Sequence, residues 1–397
     1  MRRARLLFVV ESGSDVRLIE GLAEGFELSI LARRIPGGVE ISHAPGVSVP
    51  TNVGVASRVG FAQEVLRTVW RRRAELDCVV VQGYGAAALA ANLAGRAAGL
   101  PVFMLVCSPS ESYYLCRRAH PAPGRRFRRR ELFALKVMAR ANAVAGQEYV
   151  VLSRHLESVV RGHGARRPVR VIPVYGVDTE IFSPAAEPRR ATRERLGLPA
   201  SGALVFFSSR VAPEKDAETL LAAFRMLLDG GRDLWLLHRS GGSRGFAEDA
   251  ARFGVAHRVV ATDAVHPHRG LADDYRASDL CVQASREEGL GFSPLEALAC
   301  GVPVIAARVG GLRETVVEGE TGWGYAVGDA HDLARSIGAA LDDPEEAARR
   351  AARGREMVCA RFERQAVFQQ LVEVVDSCLK SPRGAMTVAR ARHQAMK

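Results

Sequence analysis

Short apolar runs alternate with helix-length segments along the whole 397-residue chain, in two series separated by a polar stretch. In the first series LLFVV at 6–10, then FELSILA, LDCVVVQ, LPVFMLV, NAVAG and VRVIPV, predict strands, and VRLIEGLAEG, AAALAANLAGRAAG and SRHLESVVRG predict helices between them. Strands that are apolar throughout and followed by helices pair in parallel, because each crossover consumes a helix and helices cover both faces of the sheet. The polar stretch AAEPRRATRERLGLPAS follows Pro184, and the winding then restarts with ALVFFSS, DLWLLH, HRVVAT, DLCVQAS and VPVIAA as strands and DAETLLAAFRMLL, LADDYRAS and LEALAC as helices. A chain of this length suits two cores better than one. The expectation is an α/β protein with parallel-sheet domains at 1–175 and 176–360, facing a cleft at the carboxyl ends of their strands, where open α/β sheets bind ligands. A last helical segment covers 361–380, and 381–397 reads as a basic disordered tail, since it lacks acids and apolar periodicity.

The net charge of +11 is unevenly placed: residues 1–180 hold 26 Lys and Arg against 15 Asp and Glu, and residues 181–397 hold 29 of each. Much of the excess lies in RRFRRRELFALK, where Arg125, Arg126, Arg128, Arg129 and Arg130 precede an apolar run containing Leu132, Phe133 and Leu135. Such a cluster suits an anionic membrane surface or an anionic acceptor, and equally a solvated basic face. No nucleic-acid motif accompanies it, so no nucleic acid is expected as a partner. LLFVV is followed at once by Glu11, too short for a signal peptide or a span, which predicts a cytoplasmic protein with at most peripheral contact at the inner face of the membrane. The seven cysteines show neither CxxC nor Cys/His ligand spacing, which argues against a zinc site and against a secreted disulfide framework, and for free thiols.

Two stretches carry chemistry. In SREEGLGFSPLEALACGVPVIAARVGG, residues 285–311, Glu288 and Glu296 stand eight apart around Gly289, Leu290, Gly291, Phe292, Ser293 and Pro294. The glycines permit close backbone approach or positive φ, and Ser293 followed by proline predicts an N-cap and first helical position, so the nearby amides would favour an anion. Gly301 and Pro303 end the helix and VPVIAA returns as a buried strand. In SSRVAPEKDAETLL, residues 208–221, Arg210 and Lys215 sit between a strand end and a helix, from where two cations can reach one diphosphate. Lys215 is one of only four lysines against 51 arginines, so a lysine there is notable. Gly13, in the first turn, is a further phosphate-contact candidate. No Asp-x-Asp occurs, and the expectation is no metal site: cations and amides would meet the phosphate charge directly.

The glutamate pair, its helix, Cys300-Gly301-Val302-Pro303, the following strand and Gly310-Gly311 together resemble the signature of retaining glycosyltransferases of family 4, which have the GT-B fold of two Rossmann-like domains. PVYGVDTEIFSP at 173–184 is similar to the family's inter-domain segment, and the likeness runs over residues 170–380. The resemblance implies a hexosyl transfer from a UDP- or GDP-linked sugar without cofactor. It casts Glu288, Arg210 and Lys215 as the catalytic set, with Glu288 on a donor-sugar hydroxyl and Arg210 and Lys215 on the diphosphate. Glu296 would take the ribose, the amides from Leu290 to Ser293 the sugar and phosphate, and the last helix would cross back onto the N-terminal domain. Where many members carry a sugar-site histidine this chain has Cys107 and Ser108, so the acceptor-side candidates are Ser108, Glu111, Tyr113 and His120. The favoured reading is transfer to an envelope glycolipid or polysaccharide precursor. Alternatives are a soluble small-molecule acceptor and, more remotely, a GT-B epimerase or a non-catalytic binding protein.

Overall fold

The computed structural model describes residues 3–11, 15–33, 57–121, 126–263 and 270–380. They fall into two compact units. The first takes its described residues from Met1–Glu111, Phe127–Gly176 and Arg364–Lys397, and the second from Ser112–Arg126 and Val177–Glu363. The described part of 112–126 thus belongs with the second unit, although the sequence places it in the N-terminal half.

The first unit holds a six-stranded parallel sheet of β1 (Arg5–Val10), β2 (Glu27–Ala32), β3 (Cys78–Gln82), β4 (Val102–Val106), β5 (Glu148–Val151) and β6 (Val169–Val171), in the order β2-β1-β3-β4-β5-β6. Phe8 pairs in register with Ile30 on one side and Val80 on the other. Leu6 to Val10 and Val102 to Val106 are buried throughout, as strands covered on both faces must be. The second unit repeats the plan with β7 (Ala203–Phe207), β8 (Leu234–Arg239), β9 (Val259–Thr262), β10 (Leu280–Gln283), β11 (Val304–Ala307) and β12 (Trp323–Tyr325), in the order β12-β11-β10-β7-β8-β9. The first strand of this series lies inside its sheet, so the winding reverses between β7 and β10. Their carboxyl ends frame the crevice where an open α/β sheet takes its ligand.

The helix Arg364–Lys380 belongs to the first unit, where Val367, Phe368, Leu371 and Val375 are buried. Its Phe368 ring occupies the space that a Cβ on Gly21 would need, so the helix Val16–Gly25 accepts it only with glycine there. The segment 381–397, read as a tail, lies outside the described residues.

Two sequence expectations give way here. NAVAG is not a strand: residues 142–145 close the 17-residue helix Arg129–Ala145, and the strand is Glu148–Val151. The buried Asn142 amide donates to the carbonyls of Tyr84 (3.0 Å), Gly85 (3.2 Å) and Met138 (3.0 Å), which fixes the helix end against the β3 loop, and alanine suits the helix. The apolar face expected from Leu132, Phe133 and Leu135 is also not formed, because Leu132 and Leu135 turn half inward and only Phe133 is exposed, with Val137 and Val144 further along. Arg126, Arg128, Arg129 and Arg130 are exposed, while Arg125 lies outside the described residues. Among the described residues no helix is long and apolar enough to cross a membrane. All seven cysteines are free thiols, three of them buried.

Candidate active site

The loop after β7 is built around one strained residue. Ser208 to Ala212 lead into a short 3-10 turn, Pro213–Lys215, and Asp216 then takes φ 49°, the one non-glycine positive φ among the described residues. A left-handed residue with a side chain costs about 1 kcal/mol, and Asp216 meets that cost by capping the helix Ala217–Asp229: it accepts from the Thr219 amide (3.4 Å) and hydroxyl (2.8 Å) and pairs with Arg286 (2.6 Å). The turn fixes where Glu214 and Lys215 point.

Lys215 Nζ donates to Glu288 Oε2, with both side chains largely buried. The same oxygen accepts from Ser285 Oγ (3.2 Å) and Gln283 Nε2 (3.3 Å), and Gln283 is itself held by Ser209 Oγ (3.1 Å). Tyr113 OH donates to the other oxygen, Oε1, at 3.4 Å. Burial, and next the Glu288 carboxylate, raise the Tyr113 phenol, so it stays a neutral donor. Glu214 has no exposed side-chain surface, yet two guanidiniums reach it: Arg117 through Nε (2.9 Å) and a terminal nitrogen (2.5 Å), and Arg210 through one nitrogen (2.7 Å). Burial alone would push the Glu214 carboxyl up, but the hydrogen bonds from Arg117 and the two positive charges together hold it below its ordinary value, so it is anionic.

After β10 the chain reaches Glu288 and turns at Gly291, φ 92°, where a Cβ would overlap the Leu312 side chain. Gly291, not Ser293, is the N-cap of the helix Phe292–Ala299, and no side chain caps it. Proline therefore sits third in the helix rather than first. In the first turn Phe292 and Ser293 carry a backbone N–H and Pro294 carries none. Glu296 faces back from this helix: Tyr275 OH donates to its Oε2 at 2.9 Å, and because that phenol has one proton, Ser208 Oγ donates in turn to Tyr275 at 3.1 Å. Gly310 and Gly311 close the loop from behind. Gly311 N–H donates to Glu288 O (3.0 Å), and a Cβ there would stand 2.7 Å from Leu290 Cα. The carboxyl ends of β7 and β10 thus bring together two cations, Arg210 and Lys215, two carboxylates, Glu288 and Glu296, and a helix N-terminus.

Ser108, half-buried, follows β4 in the first unit. Glu111 pairs there with Lys136 (3.2 Å) and His163 (3.5 Å). His120 is exposed at the end of its helix, and Gly13 lies outside the described residues. Sequence reasoning missed Tyr275, Gln283, Ser285 and Arg117. Gln283 and Ser285, polar residues alternating at the end of an apolar strand, carry a signal that could have found two of them. Among the described residues no three His, Cys, Asp or Glu side chains cluster to hold a metal ion.

These two sheets with a returning helix are those of the GT-B fold, and the comparisons agree. Sucrose-phosphate synthase from Thermosynechococcus elongatus superposes with a TM-score of 0.76 at 22% identity, over 95% of this chain and 99% of that one. Anabaena HepE in complex with UDP superposes at 0.74 and 20% identity, over 94% and 100%. Residues 188–357, which contain the whole constellation apart from the 112–126 segment, match the family described as Glycosyl transferases group 1. A D-inositol 3-phosphate glycosyltransferase from Thermobispora bispora is 38% identical over 228 residues, 54% of this chain and 52% of that protein. The chain thus spans about half the length of this curated relative.

Proposed function

We propose that the protein is a retaining glycosyltransferase that moves a sugar from a nucleoside-diphosphate sugar to a hydroxyl of a soluble small molecule. The observation that carries the reading is the pairing of Lys215 with Glu288 and of Arg210 with Glu214 at the strand ends of a segment that matches glycosyl transferases group 1. A diphosphate entering there offers both cations a doubly charged partner, and releases Glu288 to accept from a donor-sugar hydroxyl. In this reading Glu296, which accepts from Tyr275, also accepts from the ribose hydroxyls, and the first turn of its helix meets the phosphates. In the step itself the bond from the anomeric carbon to the phosphate oxygen breaks, and the acceptor oxygen bonds to that carbon on the same face. The acceptor proton passes to the departing phosphate. Arg210, Lys215 and the helix N-terminus stabilise the charge that grows on it.

The acceptor reading departs from the envelope precursor that the sequence favoured. The relative's name, D-inositol 3-phosphate glycosyltransferase, supports a small phosphorylated polyol, and the excess of positive charge in residues 1–180 suits an anionic acceptor. Incubating the full chain with UDP- and GDP-sugars and a panel of phosphorylated and unphosphorylated polyols, and reading the products by mass spectrometry, tests it. A glycosylated soluble product with the anomeric configuration of the donor is expected. Turnover only with lipid-linked acceptors would overturn the acceptor reading, and an inverted product would overturn retention.

A further inference from the structure

We propose that Arg117 is a positioning residue for the donor diphosphate: it keeps Glu214 paired, so that Arg210 is free to leave that carboxylate for the phosphates. The inference rests on the reading of Arg210 and Lys215 as the diphosphate clamp.

Glu214 is a fully buried anion, and a buried anion stripped of its cation is strongly unfavourable. If Arg210 were its sole partner, every move of Arg210 toward a phosphate would strand it. The two guanidiniums are not equivalent. Arg117 binds as a fork, Nε to Oε2 at 2.9 Å and a terminal nitrogen to Oε1 at 2.5 Å, with its side chain one-third exposed. Arg210 makes a single bond, to the Oε1 that Arg117 already holds, and more than half of its side chain is exposed. Glu214 cannot follow Arg210 outward, because its carbonyl accepts from the Arg286 amide at 2.9 Å and Arg286 is fixed on Asp216. Arg210 is therefore the mobile partner and Arg117 the resident one.

The helix Ser110–Ala119 places the resident cation. Tyr113 and Arg117 are four residues apart and share a face, with the guanidinium carbon 5.8 Å from the Tyr113 ring centroid. From that face Tyr113 reaches Glu288 and Arg117 reaches Glu214, so one helical turn bonds the partner carboxylate of each clamp cation. Arg117 does not itself need to touch the donor.

Calorimetric titration of UDP and of GDP into the full chain tests this. Arg117→Ala is expected to weaken the nucleotide that the wild type binds about tenfold, because Glu214 then retains Arg210. Arg117→Ala with Glu214→Gln removes the competing charge and should return affinity to within about threefold of wild type. In an Arg210→Ala, Glu214→Gln background, which leaves no buried anion unpaired, Arg117→Ala should cost almost nothing further, since the group it acts through is gone. Arg117→Lys keeps the charge without the fork, covers the case in which Arg117→Ala fails to fold, and should weaken binding about threefold. Unchanged affinity in Arg117→Ala, or no recovery on adding Glu214→Gln, overturns the inference, the latter pointing to a direct phosphate contact. Wild-type affinity in Arg210→Ala overturns the clamp reading itself, as does a wild type that binds neither nucleotide.

Discussion

Lys215 and Glu288 meet in a buried ion pair across 73 residues of sequence, and Gln283 and Ser285 bond the same carboxylate oxygen. Removing the lysine leaves an anion with neutral donors only. Lys215→Ala is therefore expected to lower stability by about 2 kcal/mol and to lower kcat by more than it raises KM, because charge on the leaving phosphate peaks in the transition state. Thermal melting and steady-state kinetics check both halves. An equal loss in KM with kcat intact would mean that Lys215 binds donor and transition state alike.

Glu296 is held in a relay, Ser208 to Tyr275 to Glu296, with the phenol fully buried. Glu296→Ala should weaken nucleoside diphosphate binding by roughly 1–3 kcal/mol, the worth of a charge-assisted hydrogen bond. Tyr275→Phe removes the phenol's hydrogen bond and keeps the carboxylate, and is expected to cost about 1 kcal/mol of nucleotide affinity. Calorimetry that finds Glu296→Ala binding like wild type would remove the ribose assignment.

Gly311→Ala tests the loop rather than the chemistry. A Cβ there meets the backbone of Gly289 and Leu290, which cannot rotate out of the way as a side chain can. The expected result is a loss of about 2 kcal/mol or more in stability together with nucleotide affinity. A variant that melts with the wild type would show that the 288–291 turn yields freely.

How much of this was legible in sequence depends on how far apart the partners lie. Both sheets follow from apolar runs such as LLFVV and ALVFF, because a strand buried on two faces leaves a continuous signature. The run NAVAG failed because five small residues, mostly apolar, fit either state, and the choice was made by the Asn142 amide bonding carbonyls 57 and 58 residues earlier in the chain. The glycines at 310 and 311 were legible as a pattern, while their cause, the backbone of residues 288–290 lying against them, needed coordinates. Arg117 left no trace, since its partner Glu214 is 97 residues away and the intervening spacing follows no period.

The exposed arginines 126, 128, 129 and 130 separate a membrane acceptor from a soluble one. With one exposed aromatic, Phe133, beside them in place of the expected apolar face, the full chain should remain in the supernatant with anionic vesicles at about 0.15 M salt. Neutralising Arg128, Arg129 and Arg130 together should raise KM for an anionic soluble acceptor and leave turnover on an uncharged one unchanged. Sedimentation that rises with anionic lipid content would return the acceptor to the membrane.

Asp274, paired with Arg239 at the end of β8, gives the fold a pH dependence. Asp274 is fully buried, and burial pushes its carboxyl up to about 6 from an ordinary 3.8, with the charge of Arg239, 2.5 Å away, offsetting only part of the rise. A carboxyl whose pKa is higher folded than unfolded binds its proton more tightly in the folded state. Its contribution is full below about pH 4 and is lost as pH rises through about 6. A difference of that size between the folded and the open chain corresponds to about 3 kcal/mol. Asp274→Asn cannot titrate, and the loss of the partner of Arg239 adds an offset that does not vary with pH, because the guanidinium stays charged throughout. The stability of the wild type relative to Asp274→Asn should therefore fall between pH 4 and 6 and stay level above. Glu214, whose carboxyl is depressed, is common to both proteins and cancels from the difference. Urea unfolding of the two at half-unit steps of pH measures that difference, and parallel curves would show that Asp274 is ionised in the fold as it is in the open chain.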